Sequence, residues 1–195
     1  MGLFYTTFTT LGPDDNAVSA ALKELRRTAF VSPTVDGYTV IYDQKVEDQD
    51  FTEIEKLGEG LSRACDAPVL AAALHDDDVL YLWLFQSGEQ KDFYNSMPQY
   101  FDPNAEPGPP EGGDSGLLCK AFGRSGKTKR VEQLLRANLL DDELPEIPGE
   151  LERHQALAEE LGMPAFATEV TYSSIKGKYV SEDFTKVAFV LISDS

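Results

Sequence analysis

Apolar and polar positions follow two rhythms along the first hundred residues, and each change of rhythm marks an element. Leu3 to Thr10 is rich in aromatic and β-branched side chains, the make-up of a buried strand. Gly12-Pro13 ends it, and Asp14 and Asp15 suit the positively polarised first turn of a helix. Ala17, Val18, Ala21, Leu22 and Leu25 then recur every three or four residues and give that helix one apolar stripe. Arg26 and Arg27 fall in its last turn, where the dipole favours cations. Phe30-Val31 and Tyr38 to Tyr42 read as strands around Asp36-Gly37, a hairpin signal, with Pro33 marking an irregular or edge approach. Asp50 and Glu53 have the spacing of a capping box ahead of a second stripe, Phe51, Ile54, Leu57, Leu61 and Ala64. Pro68 closes that connection, and Val69 to Leu74 is the next apolar strand.

Strand, helix, strand, strand, helix, strand is the split βαβ order of a ferredoxin-like sandwich. A meander extends it: Val79 to Phe85 follows the turn His75 to Asp78, and Lys91 to Tyr94 follows Ser87-Gly88. Along Val79 to Phe85, Leu80, Leu82 and Leu84 point one way and Tyr81, Trp83 and Phe85 the other. Both sets are apolar, so both faces of this strand need a cover. Met97 to Gly116 holds five prolines and four glycines and is predicted as a long loop crossing to the helices that supply that cover. Three helical patterns follow: Leu117, Leu118, Ala121 and Phe122; Val131, Leu134, Leu135 and Leu139; Leu151, His154, Ala158 and Leu161, stopped by Gly162 and Pro164. Phe184, Val187, Ala188 and Leu191 fit a helix, but the short, partly β-branched run Val187 to Ile192 favours a strand. The expected fold is therefore one α/β domain of the α+β type. Residues 1–96 form the βαββαβ start and antiparallel meander, 97–116 the Pro/Gly-rich loop, and 117–195 the helical cover and tail.

Composition alters the picture in one respect. The 195 residues are 42% apolar and 26% charged, ordinary for a folded chain, but 34 acidic residues against 17 basic ones leave a net charge of −17. So negative a surface repels phosphate backbones and anionic lipid heads, which argues against nucleic acid and membrane as partners. No apolar run reaches the roughly 20 residues that span a bilayer, and no charged-then-apolar leader precedes Gly12. Cys65 and Cys119 stand far apart, as expected in a reducing cytoplasm. Within the chain, 120–136 carries six bases against Glu132, and 141–160 carries eight acids against Arg153. The simpler expectation is that these helices pair with each other; the functional one is a basic patch on a molecule that otherwise attracts basic partners.

Four short motifs fail on their surroundings. Gly126-Lys127-Thr128 ends like a phosphate loop, but Ala121 stands where the first glycine must be, and a helix feeds it. Gly113-Asp114-Ser115-Gly116 resembles the run around the nucleophile of chymotrypsin-like proteases, yet Leu117-Leu118 follows, and a helix entry capped by Asp114 or Ser115 explains it. Leu157 to Met163 resembles the first helix and turn of a helix-turn-helix unit, but Pro164 to Tyr172 has no basic residue to meet DNA. Met1 to Thr6 fits the N-myristoylation pattern, but its aromatic residues belong to the first strand and no basic patch assists.

The cluster with most chemical content is His75, Asp76, Asp77 and Asp78. One imidazole and three carboxylates suit a hard divalent cation or a general base beside a polarised water, although a solvated hairpin turn explains the same residues. Trp83, Tyr94, Tyr100, Phe101 and His154 would line a pocket where the loop folds over the sheet; His154 on its apolar stripe also reads as a satisfied core histidine. No cofactor is implied. The leading expectation is a non-enzymatic, cytoplasmic protein-binding module of the inhibitor or immunity type, its acidic surface holding a basic protein. The alternative is a small metal-dependent hydrolase or ligand-binding enzyme using the His75–Asp78 turn and the aromatic loop.

Overall fold

The computed structural model describes residues 2–102, 104–106, 108–138 and 147–194. Leu139 and the acids at 141, 142, 143 and 146 lie outside the described residues, as do Met1, Pro103 and Pro107. The elements in chain order are β1 (Tyr5–Leu11), α1 (Asp15–Glu24), β2 (Ala29–Val31), β3 (Tyr38–Asp43), α2 (Phe51–Ala64), β4 (Val69–His75), β5 (Val79–Gln86) and β6 (Glu89–Asn95). They continue with β7 (Glu111–Gly112), α3 (Ser115–Ala121), α4 (Thr128–Arg136), α5 (Glu150–Leu161), α6 (Tyr172–Gly177) and β8 (Val190–Ile192). The eight strands form one sheet in the order β7-β6-β5-β4-β1-β3-β2-β8, and every adjacent pair is antiparallel.

Two apolar clusters follow the period-two alternation of the strands. Phe8, Ile41, Ala71, Tyr81, Trp83 and Phe85 share one with Val18 and Leu22 of α1 and Ile54, Leu57 and Leu61 of α2. Tyr5, Val40, Leu70, Leu80, Leu82 and Leu84 share the other with Leu118, Phe122, Leu134, Leu135, Leu157 and Leu161. Local chemistry fixes the element ends. Asp14 accepts from the Ala17 amide and Asp50 from the amides of Thr52 and Glu53, each satisfying donors that a helix start leaves open. Gly162 takes a left-handed conformation, φ 77°, to end α5.

Several expectations need correction. α1 stops at Glu24, so Arg26 and Arg27 lie beyond it. Arg27 turns inward and forms a two-pronged ion pair with Asp43, at 2.9 and 2.6 Å, and a third contact with Glu53 at 2.7 Å. That draws the Glu53 side chain away from the backbone, leaving only the Asp50 half of the capping box. The loop from Met97 is interrupted by β7, which pairs with Tyr94 and Asn95, and α3 already includes Gly116 because Asp114 caps its start. The six-residue α6 is too short for periodicity to reveal; Thr171 and Ser174 define it through a reciprocal capping box. The tail adds only three strand residues, Val190 to Ile192, beside β2.

Candidate functional site

The β4–β5 turn lies at one end of the sheet, and its geometry follows from its aspartates. Asp76 and Asp77 both adopt positive φ, 55° and 62°, a conformation that aspartate tolerates better than most side chains. The amide of Asp78 closes the turn by donating to the carbonyl of His75 at 3.0 Å. The turn then anchors the N-terminal segment, the loop at Tyr100 and Gln49. Asp76 Oδ1 accepts from the Gly2 amide at 2.8 Å, the Asp77 amide donates to the Leu3 carbonyl at 3.3 Å, and Asp78 Oδ2 accepts from the Tyr100 hydroxyl at 3.1 Å. His75 Nδ1 lies 2.7 Å from Gln49 Oε1, while Gln49 Nε2 donates to the carbonyls of Leu74 (2.6 Å) and Tyr5 (3.2 Å).

Three rings surround the imidazole edge to face: Phe4, Tyr100 and Phe101, with centroids 4.7, 5.8 and 5.1 Å from that of His75. Tyr100 and Phe101 also pack edge to face on each other at 5.0 Å. Phe101 is nevertheless 66% exposed and Phe4 42% exposed, and Asp77 and Asp78 face solvent beside them. The result is an outcrop of apolar rings rimmed by carboxylates.

Next to it, Asp77 and Asp78 line a cavity of about 180 Å³ with Ser96, Met97, Glu150 and Arg153. Arg153 is fully buried; it pairs with Glu150 at 2.8 Å and donates to the carbonyls of Ala137 (2.7 Å) and Leu134. Burial pushes the Glu150 carboxyl above its ordinary range, and Arg153 and the Ser96 side chain only partly offset that. The Tyr94 hydroxyl is buried without a hydrogen-bond partner among the described residues, and burial raises its pKa.

The residues singled out from sequence separate into three places. Tyr100 and Phe101 lie against the His75–Asp78 turn. Trp83 and Tyr94 do not meet: Trp83 is opposite Phe93 in the β5–β6 register, so Tyr94, one residue on, points to the other face. His154 is buried beneath β1, its Nδ1 2.6 Å from the Tyr5 hydroxyl and its ring stacked on Tyr5 at 5.7 Å. Burial lowers its pKa to about 4. The carboxylates of Asp76 and Asp78 diverge to Gly2 and Tyr100, and among the described residues no three His, Cys, Asp or Glu side chains are grouped to hold a metal ion.

Of the basic stretch, Lys127 pairs with Glu160 at 2.8 Å, Arg136 holds Glu132 at 3.0 Å and the Gly112 and Gly113 carbonyls, and Arg124 donates to the Leu161 carbonyl at 3.2 Å. A separate groove of about 830 Å³ sets Asp36, Glu159, Glu169 and Asp183 against Arg124. Sequence reasoning missed Phe4, Gln49, Ser96, Glu150 and Arg153 at the turn end. Only Arg153 carried a signal, as the one base in an acidic segment. Comparison with known protein families, characterised proteins and solved structures finds no match to this chain.

Proposed function

We propose that this protein is a non-enzymatic binding module, of the inhibitor or immunity type, that holds a basic protein partner on the outcrop formed by Phe4, Tyr100, Phe101 and the His75–Asp78 turn. The observation that carries the reading is the exposure of Phe101 and Phe4 around a turn tied by hydrogen bonds to Gly2, Gln49 and Tyr100, with Asp77 and Asp78 at its rim. An arginine can stack on such rings while its guanidinium meets a carboxylate, and rigid aromatic anchors dominate binding energy at interfaces. The net charge of −17 steers a cationic partner toward the surface and accelerates encounter at low salt.

Two structural readings belong with this one. We infer that β1 to β4, in the spatial order β4-β1-β3-β2, are a ferredoxin-like unit covered on its second face by the C-terminal helices; the shared apolar cluster supports it. Cys65 and Cys119 are free thiols, which supports a reducing, cytoplasmic setting.

A fluorescein-labelled hexa-arginine peptide tests the function by fluorescence polarisation at low and high salt. Phe101→Ala should weaken binding several-fold without changing the salt slope, whereas the pair Asp77→Asn, Asp78→Asn should weaken it and flatten the slope. The pair Glu24→Gln, Glu55→Gln removes the same charge elsewhere and should match the unaltered protein. If that control loses as much as the turn variants, the acidity acts as a diffuse field and the outcrop is not the site.

A further inference from the structure

A groove of about 590 Å³ runs between α6, the segment 180–189 and the β2–β8 edge of the sheet. Its volume falls within the roughly 300–1,000 Å³ of small-molecule sites. Of the eleven partly buried apolar side chains that flank the larger core cluster, six line this one groove: Phe30, Ile175, Val180, Phe184, Val187 and Phe189. Leu191 adds a further wall and is 51% exposed. The incompletely covered part of that core is therefore gathered in one place, where an apolar ligand would remove it from water.

The charge at the groove runs against that of the molecule. Acids outnumber bases two to one in the chain, yet the described residues that line the groove include Lys176 and Lys178 and no acid. Both lysines are exposed, so each ammonium is accessible to a ligand. Lys176 Nζ lies 5.7 Å from the centre of the Tyr172 ring, and Lys178 takes the left-handed conformation, φ 60°, that ends α6. An apolar trough with cations at its rim is complementary to a molecule with an alkyl chain and an anionic head.

We propose that this groove binds a single-chain fatty carboxylate, its chain along Phe30, Phe184, Phe189 and Leu191 and its head at Lys176 and Lys178. The reading is independent of the His75–Asp78 outcrop, which lies at the β4–β5 turn and not at the β8 edge.

Isothermal titration calorimetry with dodecanoate, octanoate, dodecanol and dodecyltrimethylammonium tests it, each kept below its aggregation threshold. Dodecanoate should bind with one-to-one saturation. Octanoate, four methylenes shorter, should bind more than tenfold more weakly, and the ammonium amphiphile should not saturate. The double variant Lys176→Gln, Lys178→Gln should weaken dodecanoate about tenfold and leave dodecanol unchanged, whereas Leu191→Ser should weaken both. All three positions are exposed, so circular dichroism should show an intact fold. Absence of saturation by dodecanoate, equal affinity for the cationic amphiphile, or indifference to the lysine pair would overturn the proposal. So would a dimer, detected by light scattering, that Leu191→Ser dissolves and dodecanoate cannot displace, because a second copy would then be the occupant. Co-sedimentation with anionic vesicles without binding of monomeric dodecanoate would assign the groove to a membrane surface and equally refute it.

Discussion

Acidification to pH 5 should destabilise the protein through one side chain, His154. Its imidazole is enclosed between β1 and α5, and burial lowers its pKa to about 4, whereas an unfolded chain holds histidine near 6.5. The unfolded state therefore takes up the proton first. Above about pH 6.5 both states are neutral and the stability is complete; it then falls by up to 1.36 kcal/mol per pH unit until about pH 4. Integrated from pH 7.5 to 5, the loss is about 2 kcal/mol. Tyr5 offers the ring no negative charge, because burial and the nearby Glu169 charge keep its phenol protonated while its hydroxyl shares a hydrogen bond with Nδ1. Glu150 works in the opposite sense: its raised pKa means that the folded state binds a proton more readily, and acid favours it. The total acid slope thus mixes signs, and a difference is needed. Urea unfolding of the unaltered protein and of His154→Gln at pH 7.5 and 5.0 isolates the histidine, since glutamine can accept from Tyr5 but does not titrate. The variant should retain about 2 kcal/mol more of its own pH 7.5 stability at pH 5.0. Equal losses in the two proteins would show that His154 is not held neutral, and the reasoning would fail.

Three further outcomes follow from particular contacts. Arg27→Ala should cost about 3–5 kcal/mol in urea unfolding, since it strands the buried Asp43 carboxylate, and Arg27→Lys should recover only part of it because one ammonium cannot reproduce the two-pronged contact. Gly58→Ala should lower the melting temperature despite alanine's helix advantage of about 1 kcal/mol, because its methyl would overlap the Phe85 ring; overpacking costs roughly 1–3 kcal/mol, and an unchanged or higher melting temperature would mean that the ring yields freely. Millimolar Mg²⁺, Mn²⁺ or Zn²⁺ should leave the melting temperature unaltered, because Asp76 and Asp78 are committed to Gly2 and Tyr100 and His75 to Gln49; a rise of several degrees, the mass-action signature of a filled site, would revive the metal reading.

Legibility in the sequence tracked how local each cause was. The stripes Val18-Ala21-Leu22 and Ile54-Leu57-Leu61 predicted α1 and α2 because a helix repeats its pattern within a few residues. The two-sided apolar run Val79 to Phe85 predicted a strand covered on both faces, and its alternate residues do fall in separate clusters. Arg27 was misread for the same reason in reverse. Its position after a helical stripe suggested a dipole partner, but the decisive neighbours, Asp43 and Glu53, are 16 and 26 residues away. β7 was invisible because two residues beside Tyr94 and Asn95 carry no periodicity.

The turn end of the sheet shows where such reading stops. Adjacent aspartates in a turn point in different directions, and Asp76 and Asp78 are ties for the N-terminal segment and the loop, partners that the sequence does not reveal. Gln49, itself at positive φ, 57°, bridges the His75 ring to the carbonyls of Leu74 and Tyr5, a link that no spacing rule contains. An imidazole fixed at Nδ1 and ringed by Phe4, Tyr100 and Phe101 serves as a pillar under those rings. On the proposed binding role, the bonds that tie Asp76 to Gly2, His75 to Gln49 and Tyr100 to Asp78 would reduce the ordering that a partner stacked on Phe101 must impose, and so the conformational entropy lost on binding.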